Sequence, residues 1–201
     1  MLNRKEAEQL LEEGRRSNEG PWIPHSQYVA LAAEAIAKAT KSLDPDRAYV
    51  LGLLHDIGKS DPTAQNRHPL LGYDFMIERG ESEIAQISLT HPYALKDFHE
   101  TIGYSSYSEK ENLRIEQLLA SFSYTDYDLL IQLCDGLAIP EGIVLLEKRL
   151  FDVHLRHGFN DYTLQRWKRL IEIKKHFEKL IGFSLYDLFP ESVGLTFSHD
   201  F

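Results

Sequence analysis

The run Leu51-Gly-Leu-Leu-His55-Asp56-Ile57-Gly58-Lys59 brings a strongly apolar helix to its end in an imidazole beside a carboxylate. An ionised aspartate next to such a run is costly to bury unless a cation or a hydrogen-bond network compensates it, and a bound metal ion would do so. Neighbouring helix residues point about 100° apart, so one ion can take both side chains only near a helix end. Gly58 and the loop after it relax the geometry at that point. His25 stands one turn ahead of a stripe of Val29, Ala32 and Ile36, which places it on the buried face at the start of its helix. Asp135 follows Leu129-Leu-Ile-Gln-Leu-Cys134 and shares a face with Ile131 and Ala138, an expensive setting for a lone carboxylate. Asp126 and Asp128 are the alternatives to it, but they lie at a helix start, where capping accounts for them.

His25, His55, Asp56 and Asp135 make a mixed nitrogen and oxygen donor set. Such a set suits Fe, Mn, Zn, Ni or Co and is too rich in nitrogen for calcium or magnesium alone. His68 opens a helix through Pro69 and His91 closes one through Pro92, so each sits at an element end, where a side chain can turn into a shared cavity. The two are expected to complete the pocket, by binding a second metal ion with Asp56 as bridge or by binding substrate. Lys59 is a cation at a helix C-terminus, a place it favours on electrostatic grounds alone, and it is also placed to pair with a phosphate. His99, His154, His157, His176 and His199 have no comparable setting and read as structural or surface residues. Cys134 reads as a small core filler.

The elements that must carry these groups are helical, because apolar residues recur at helical spacing and strict alternation is missing. The expected fold is all-α, a bundle of about eight to ten helices in a single domain over 1–201. Leu2, Ala7, Leu10 and Leu11 give the first helix, ended by the Gly14 to Pro24 stretch. Helices are then expected over 26–41, from Pro45 to Gly58 behind the Asp44-Pro45 cap, over 69–79 and over 81–90. The segment 101–108 reads as an irregular linker. Further helices follow at about 109–122, 125–138, 140–157 and 161–181, the last with one apolar and one basic face.

The 31 acidic residues against 22 basic ones leave a formal charge of −9, which opposes long nucleic acid as a partner. A small phosphate ester is compatible with that balance, since a bound divalent cation sets the local field. One cysteine allows no internal disulfide, and neither a membrane-length apolar run nor a signal-peptide hydrophobic region is visible. Cytoplasm is the expected compartment, and the oligomeric state is left open, a dimer included.

The order His25, His55-Asp56, Asp135 resembles the HD superfamily of metal-dependent phosphohydrolases over roughly residues 22–140, and His55-Asp-Ile-Gly-Lys59 looks like its HDIG subgroup. The remaining 141–201 is then a C-terminal helical extension. His68-Pro-Leu-Leu-Gly72 and Thr90-His91-Pro92 are similar to the two extra histidines of binuclear HD proteins, among them the bacterial dinucleoside-tetraphosphate hydrolases. The stretch from His91 to Asp135 is longer here than in that branch, and Lys59 stands where mononuclear HD nucleotidases carry an acidic catalytic residue. The resemblance implies hydrolysis of a small phosphorylated substrate such as a nucleotide, with the metal activating water, Asp56 as general base and Lys59 assisting. The same six-residue pattern also occurs in HD-type di-iron oxygenases, and a non-catalytic HD module that binds a nucleotide as a signal is the other alternative.

Overall fold

The computed structural model describes residues 1–101 and 106–198, and ten α-helices lie among them. α1 (Arg4–Ser17), α2 (Trp22–Thr40) and α3 (Pro45–Leu54) are followed by a 3-10 turn at Ile57–Ser60, then α4 (His68–Glu78) and α5 (Ser82–Thr90). α6 (Glu109–Ser121) and α7 (Asp126–Leu137) lead into a minimal hairpin, β1 (Ala138–Ile139) paired antiparallel with β2 (Gly142–Ile143). α8 (Leu146–His157), α9 (Thr163–Ile181) and α10 (Ser192–Ser198) complete the chain. The all-α class therefore holds.

Boundaries moved where helix ends obey rules that punctuation residues hide. α2 starts at Trp22 rather than residue 26, because Pro21 takes the N-cap position and Pro24 falls in the first turn, where amides have no helical partner to lose. α3 stops at Leu54 rather than Gly58, and the His55-Asp56 pair forms the corner into the 3-10 turn. α8 begins at Leu146 rather than residue 140, because Pro140 and Gly142 turn the hairpin first. α10 carries too few periodic positions to stand out in sequence. His199 and part of the 101–108 linker lie outside the described residues.

α2 is buried on more than one side: Val29, Ala30, Ala32, Ala33, Ile36 and Ala37 are all fully enclosed. Its alanines let α3 come close, and a Cβ at Gly52 would lie 2.9 Å from the Ala30 Cα. The main apolar cluster runs from Ala7 on α1 to Phe189 behind α9, and a smaller one joins Leu70, Leu89 and Tyr93 to Ile115 and Leu119 of α6. Cys134 is a buried core residue. No helix among the described residues is long and apolar enough to cross a membrane.

Candidate metal centre

Five element ends converge on one point. His25 comes from the first turn of α2, His55 and Asp56 from the corner after α3, His68 from the start of α4, His91 from the end of α5 and Asp135 from the last turn of α7. All but Asp135 and His68 are essentially closed off from solvent.

Three of the histidines are held in the same way. The Nδ1 atoms of His55, His91 and His68 face the carbonyls of Gly52, Ser88 and Gln65, each three residues upstream, at 2.7, 2.9 and 3.4 Å. With Nδ1–H donating to the backbone, Nε2 carries the lone pair and is aimed inward. His25 Nε2 lies 3.0 Å from Asp135 Oδ1 and 3.9 Å from Asp56 Oδ2. His55 Nε2 lies 3.5 Å from Asp56 Oδ2 and 3.9 Å from Asp135 Oδ1. On the other side, His68 and His91 bring their Nε2 atoms to 3.1 and 3.6 Å from Asp56 Oδ1 and to 3.4 Å from each other. Donor atoms within 4.8 Å of one another form two groups, His25 with His55 and Asp135, and His55 with Asp56 and His91.

Two buried atoms in this cluster, His55 Nε2 and Asp56 Oδ1, have no hydrogen-bond partner. Buried polar atoms are almost always satisfied, so orphaned acceptors in one cluster of imidazoles and carboxylates fit a site that takes a cation. Protonation states agree. Burial lowers the pKa of His55, and it carries that of His91 down to about 3, so both imidazoles are neutral. Burial pushes the other way on Asp56, yet Lys59, His55 and His68 hold its carboxyl well below the usual carboxylate range. Asp135 is likewise held down against its burial by the hydrogen bond and charge of His25 and by His55. Neutral imidazoles and ionised carboxylates are the forms in which these groups bind metals, and the N/O set fits a divalent transition ion.

Gly58 makes the two halves meet. A Cβ there would fall 2.0 Å from the His68 carbonyl oxygen and 2.5 Å from the Gly72 nitrogen, so only glycine lets the turn after Asp56 touch the start of α4. Lys59 Nζ then bonds Asp56 Oδ2 at 2.6 Å.

A model of the HD domain matches residues 22–138, more than half of the chain. The chain belongs to the HD domain family. HD domains are generally metal-dependent hydrolases that bind divalent metals. No curated protein and no solved structure matches the chain. All seven residues singled out from sequence fall inside the matched HD domain. Of the alternatives, Asp128 is spent on Gln86, Thr90 and Thr125, and Asp126 pairs with His176, so neither joins the cluster.

The cluster forms the floor of a cavity of about 870 Å³ whose walls include Trp22, Gln132, the hairpin and, beyond the matched HD domain, α8. His154 and His157 line it too, whereas His99 is an exposed residue beside Asp97. The α8 contribution escaped sequence reading. His154, Arg149 and Arg156 lie on a helix whose polar and apolar residues alternate around the barrel, and nothing local marks which face looks onto a pocket.

Proposed function

We propose that this HD domain hydrolyses a small phosphorylated substrate, most simply a nucleotide, and that His25, His55, Asp56 and Asp135 hold the ion it needs, with His68 and His91 completing a second position that shares Asp56. The observation that carries this reading is the pair of buried, unpartnered atoms, His55 Nε2 and Asp56 Oδ1, in a cluster whose His25, Asp56, His68, His91 and Asp135 line a cavity large enough for a nucleotide. Fe, Mn, Zn, Ni and Co all fit the donor set. His55-Asp56-Ile57-Gly58-Lys59 supports the HDIG type, since Gly58 has a steric reason to be glycine here.

An ion at this centre supplies Lewis acidity towards a phosphoryl oxygen and a nucleophile at neutral pH. The protein's own groups do the rest. Asp56 would orient the attacking water as a hydrogen-bond acceptor; its lowered pKa makes it an orienting acceptor and a weak store for the proton. Lys59 steadies Oδ2 and, with Nζ at the cavity edge, can turn its remaining protons to a phosphate oxygen. Trp22, fixed by its indole N–H donating to the Asn18 carbonyl, walls the pocket from solvent.

Elemental analysis of protein purified without chelator, followed by a hydrolysis screen over nucleotides and phosphorylated metabolites, tests this. Stoichiometric transition metal and metal-dependent phosphate release are expected. Tight nucleotide binding without turnover would make the chain a regulatory module, and oxygen consumption with iron would make it an oxygenase.

A further inference from the structure

α8 lies outside the matched HD domain, yet Lys148, Arg149, Arg156 and, from α9, Arg166 line the same cavity as the metal-centre residues. Arg149 is the one whose charge is least accounted for. Its Nε is buried without a hydrogen-bond partner, and among the described residues no carboxylate lies within ion-pair range of its guanidinium. The charges it feels at longer range are those of Asp135 and Asp152, the neighbouring Arg156, and Asp56. Two of these, Asp135 and Asp56, are the metal-centre carboxylates, and Arg149 lines the same cavity as both.

That arrangement has a direct electrostatic consequence. Once Asp56 and Asp135 are taken up by a divalent ion, their charge no longer balances Arg149, and a partly buried guanidinium with a buried, unpartnered Nε is left sharing a cavity with a cationic centre. Such a state is costly until an anion enters between them. Arg156 stands seven residues further along α8, on the same helical face, and is exposed at the mouth. Arg166 is already engaged, with Nε 3.7 Å from the buried Glu100, and Lys148 lies 3.5 Å from Asp152.

We propose that Arg149, assisted by Arg156, forms a subsite for a second phosphate of the substrate, distinct from the phosphate that meets the metal centre. The ligand class is thus a compound with at least two phosphate groups spaced along the cavity, such as a nucleoside di- or triphosphate or a longer polyphosphate ester, rather than a monophosphate. A planar guanidinium with its donors free matches a phosphate in fork geometry. The identity of the first phosphate site rests on the hydrolase reading above; the cationic subsite rests on α8.

The test is calorimetric titration of metal-loaded protein with inorganic orthophosphate and with the bis-methylene analogue of tripolyphosphate, whose P–C–P links resist hydrolysis. Wild-type protein should prefer the triphosphate analogue, and Arg149→Gln should reduce that preference by about tenfold or more, the worth of one charge-assisted pair. Arg156→Gln, at an exposed position that does not endanger folding, should reduce it by a smaller factor, about threefold. Metal content should be the same in all three proteins. Equal preference in the wild type and both variants overturns the subsite, and if Arg149→Gln does not fold, an unchanged preference in Arg156→Gln does so. Arg149-dependent binding in a protein that hydrolyses nothing would uphold the subsite and sink the hydrolase reading. Hydrolysis with Arg149-independent binding would do the reverse.

Discussion

Gly58→Ala puts the steric logic of the site under direct test. The added Cβ would sit 2.0 Å from the His68 carbonyl and 2.5 Å from the Gly72 nitrogen, both backbone atoms that cannot rotate away. Contacts of a real Cβ below 3.0 Å are essentially never seen, so the 3-10 turn and the start of α4 must part by about 1 Å or more. His68 rides on the part that moves, so its 3.1 Å approach to Asp56 Oδ1 is lost and the second ligand position is pulled out of register with the first. Overpacking of this kind costs about 1–3 kcal/mol. In a chain of this size each kcal/mol is worth roughly 2–4 °C, so the melting temperature should fall by roughly 2–12 °C. Loss of alignment at the reacting atoms should lower turnover by about a hundredfold. Metal bound through His25, His55 and Asp135 should survive, while any second ion is lost. Gly194→Ala is the control, since a Cβ there meets nothing within 4 Å. Circular-dichroism melting, elemental analysis and phosphate release read the three effects; a Gly58→Ala protein matching wild type in all of them refutes the close-approach reasoning.

His55→Ala and Asp135→Asn should each lose most bound metal while remaining folded, and unchanged metal content in both defeats the proposed centre. Lys59→Ala should raise KM for a phosphorylated substrate more than it lowers metal occupancy, and identical kinetics would reduce Lys59 to a helix-end charge. Burial pushes the Glu100 carboxyl up to about 7 from 4.5, against the pull of Arg166. The folded state therefore keeps a proton that the unfolded chain sheds, and stability present below about pH 4.5 is lost as pH rises through 7, by about 3 kcal/mol. Glu100→Gln should flatten that decline in urea midpoints measured from pH 5 to pH 8, and an unaltered slope would exonerate Glu100. Duplex DNA should be a poor substrate for so acidic a chain, which a nuclease assay at low salt can check.

Much of the candidate cluster was legible because burying charge on apolar helices leaves a visible anomaly. His55-Asp56 and Asp135 stand out against their neighbours, and His25 is placed by the stripe that follows it. His68 and His91 were legible by a different signal, since their prolines mark element ends without saying which way the rings turn. The start of α2 was misplaced because Gly20, Pro21 and Pro24 look like breakers, although a first turn tolerates proline. The hairpin at 138–143 is too short for alternation to register. The α8 wall was hidden for a deeper reason. Whether an arginine faces solvent or a cavity depends on what packs beside the helix, which the periodicity of a single segment does not encode.

The distance along the chain between the residues that meet at the centre has a meaning for folding as well as for chemistry. His25 and Asp135 are 110 residues apart in sequence, and their side chains lie 3.0 Å from each other. An ion gripping both closes a loop of that length, as a covalent cross-link would, and in the chain-entropy picture closing a loop of about 100 residues removes roughly 4–5 kcal/mol of freedom from the unfolded ensemble. A chain with one cysteine has no disulfide with which to do this. Metal supply during synthesis would then govern how much of the protein survives to work, because a chain that reaches its compact state without an ion holds its N-terminal and C-terminal halves together by packing alone and opens more often to proteases.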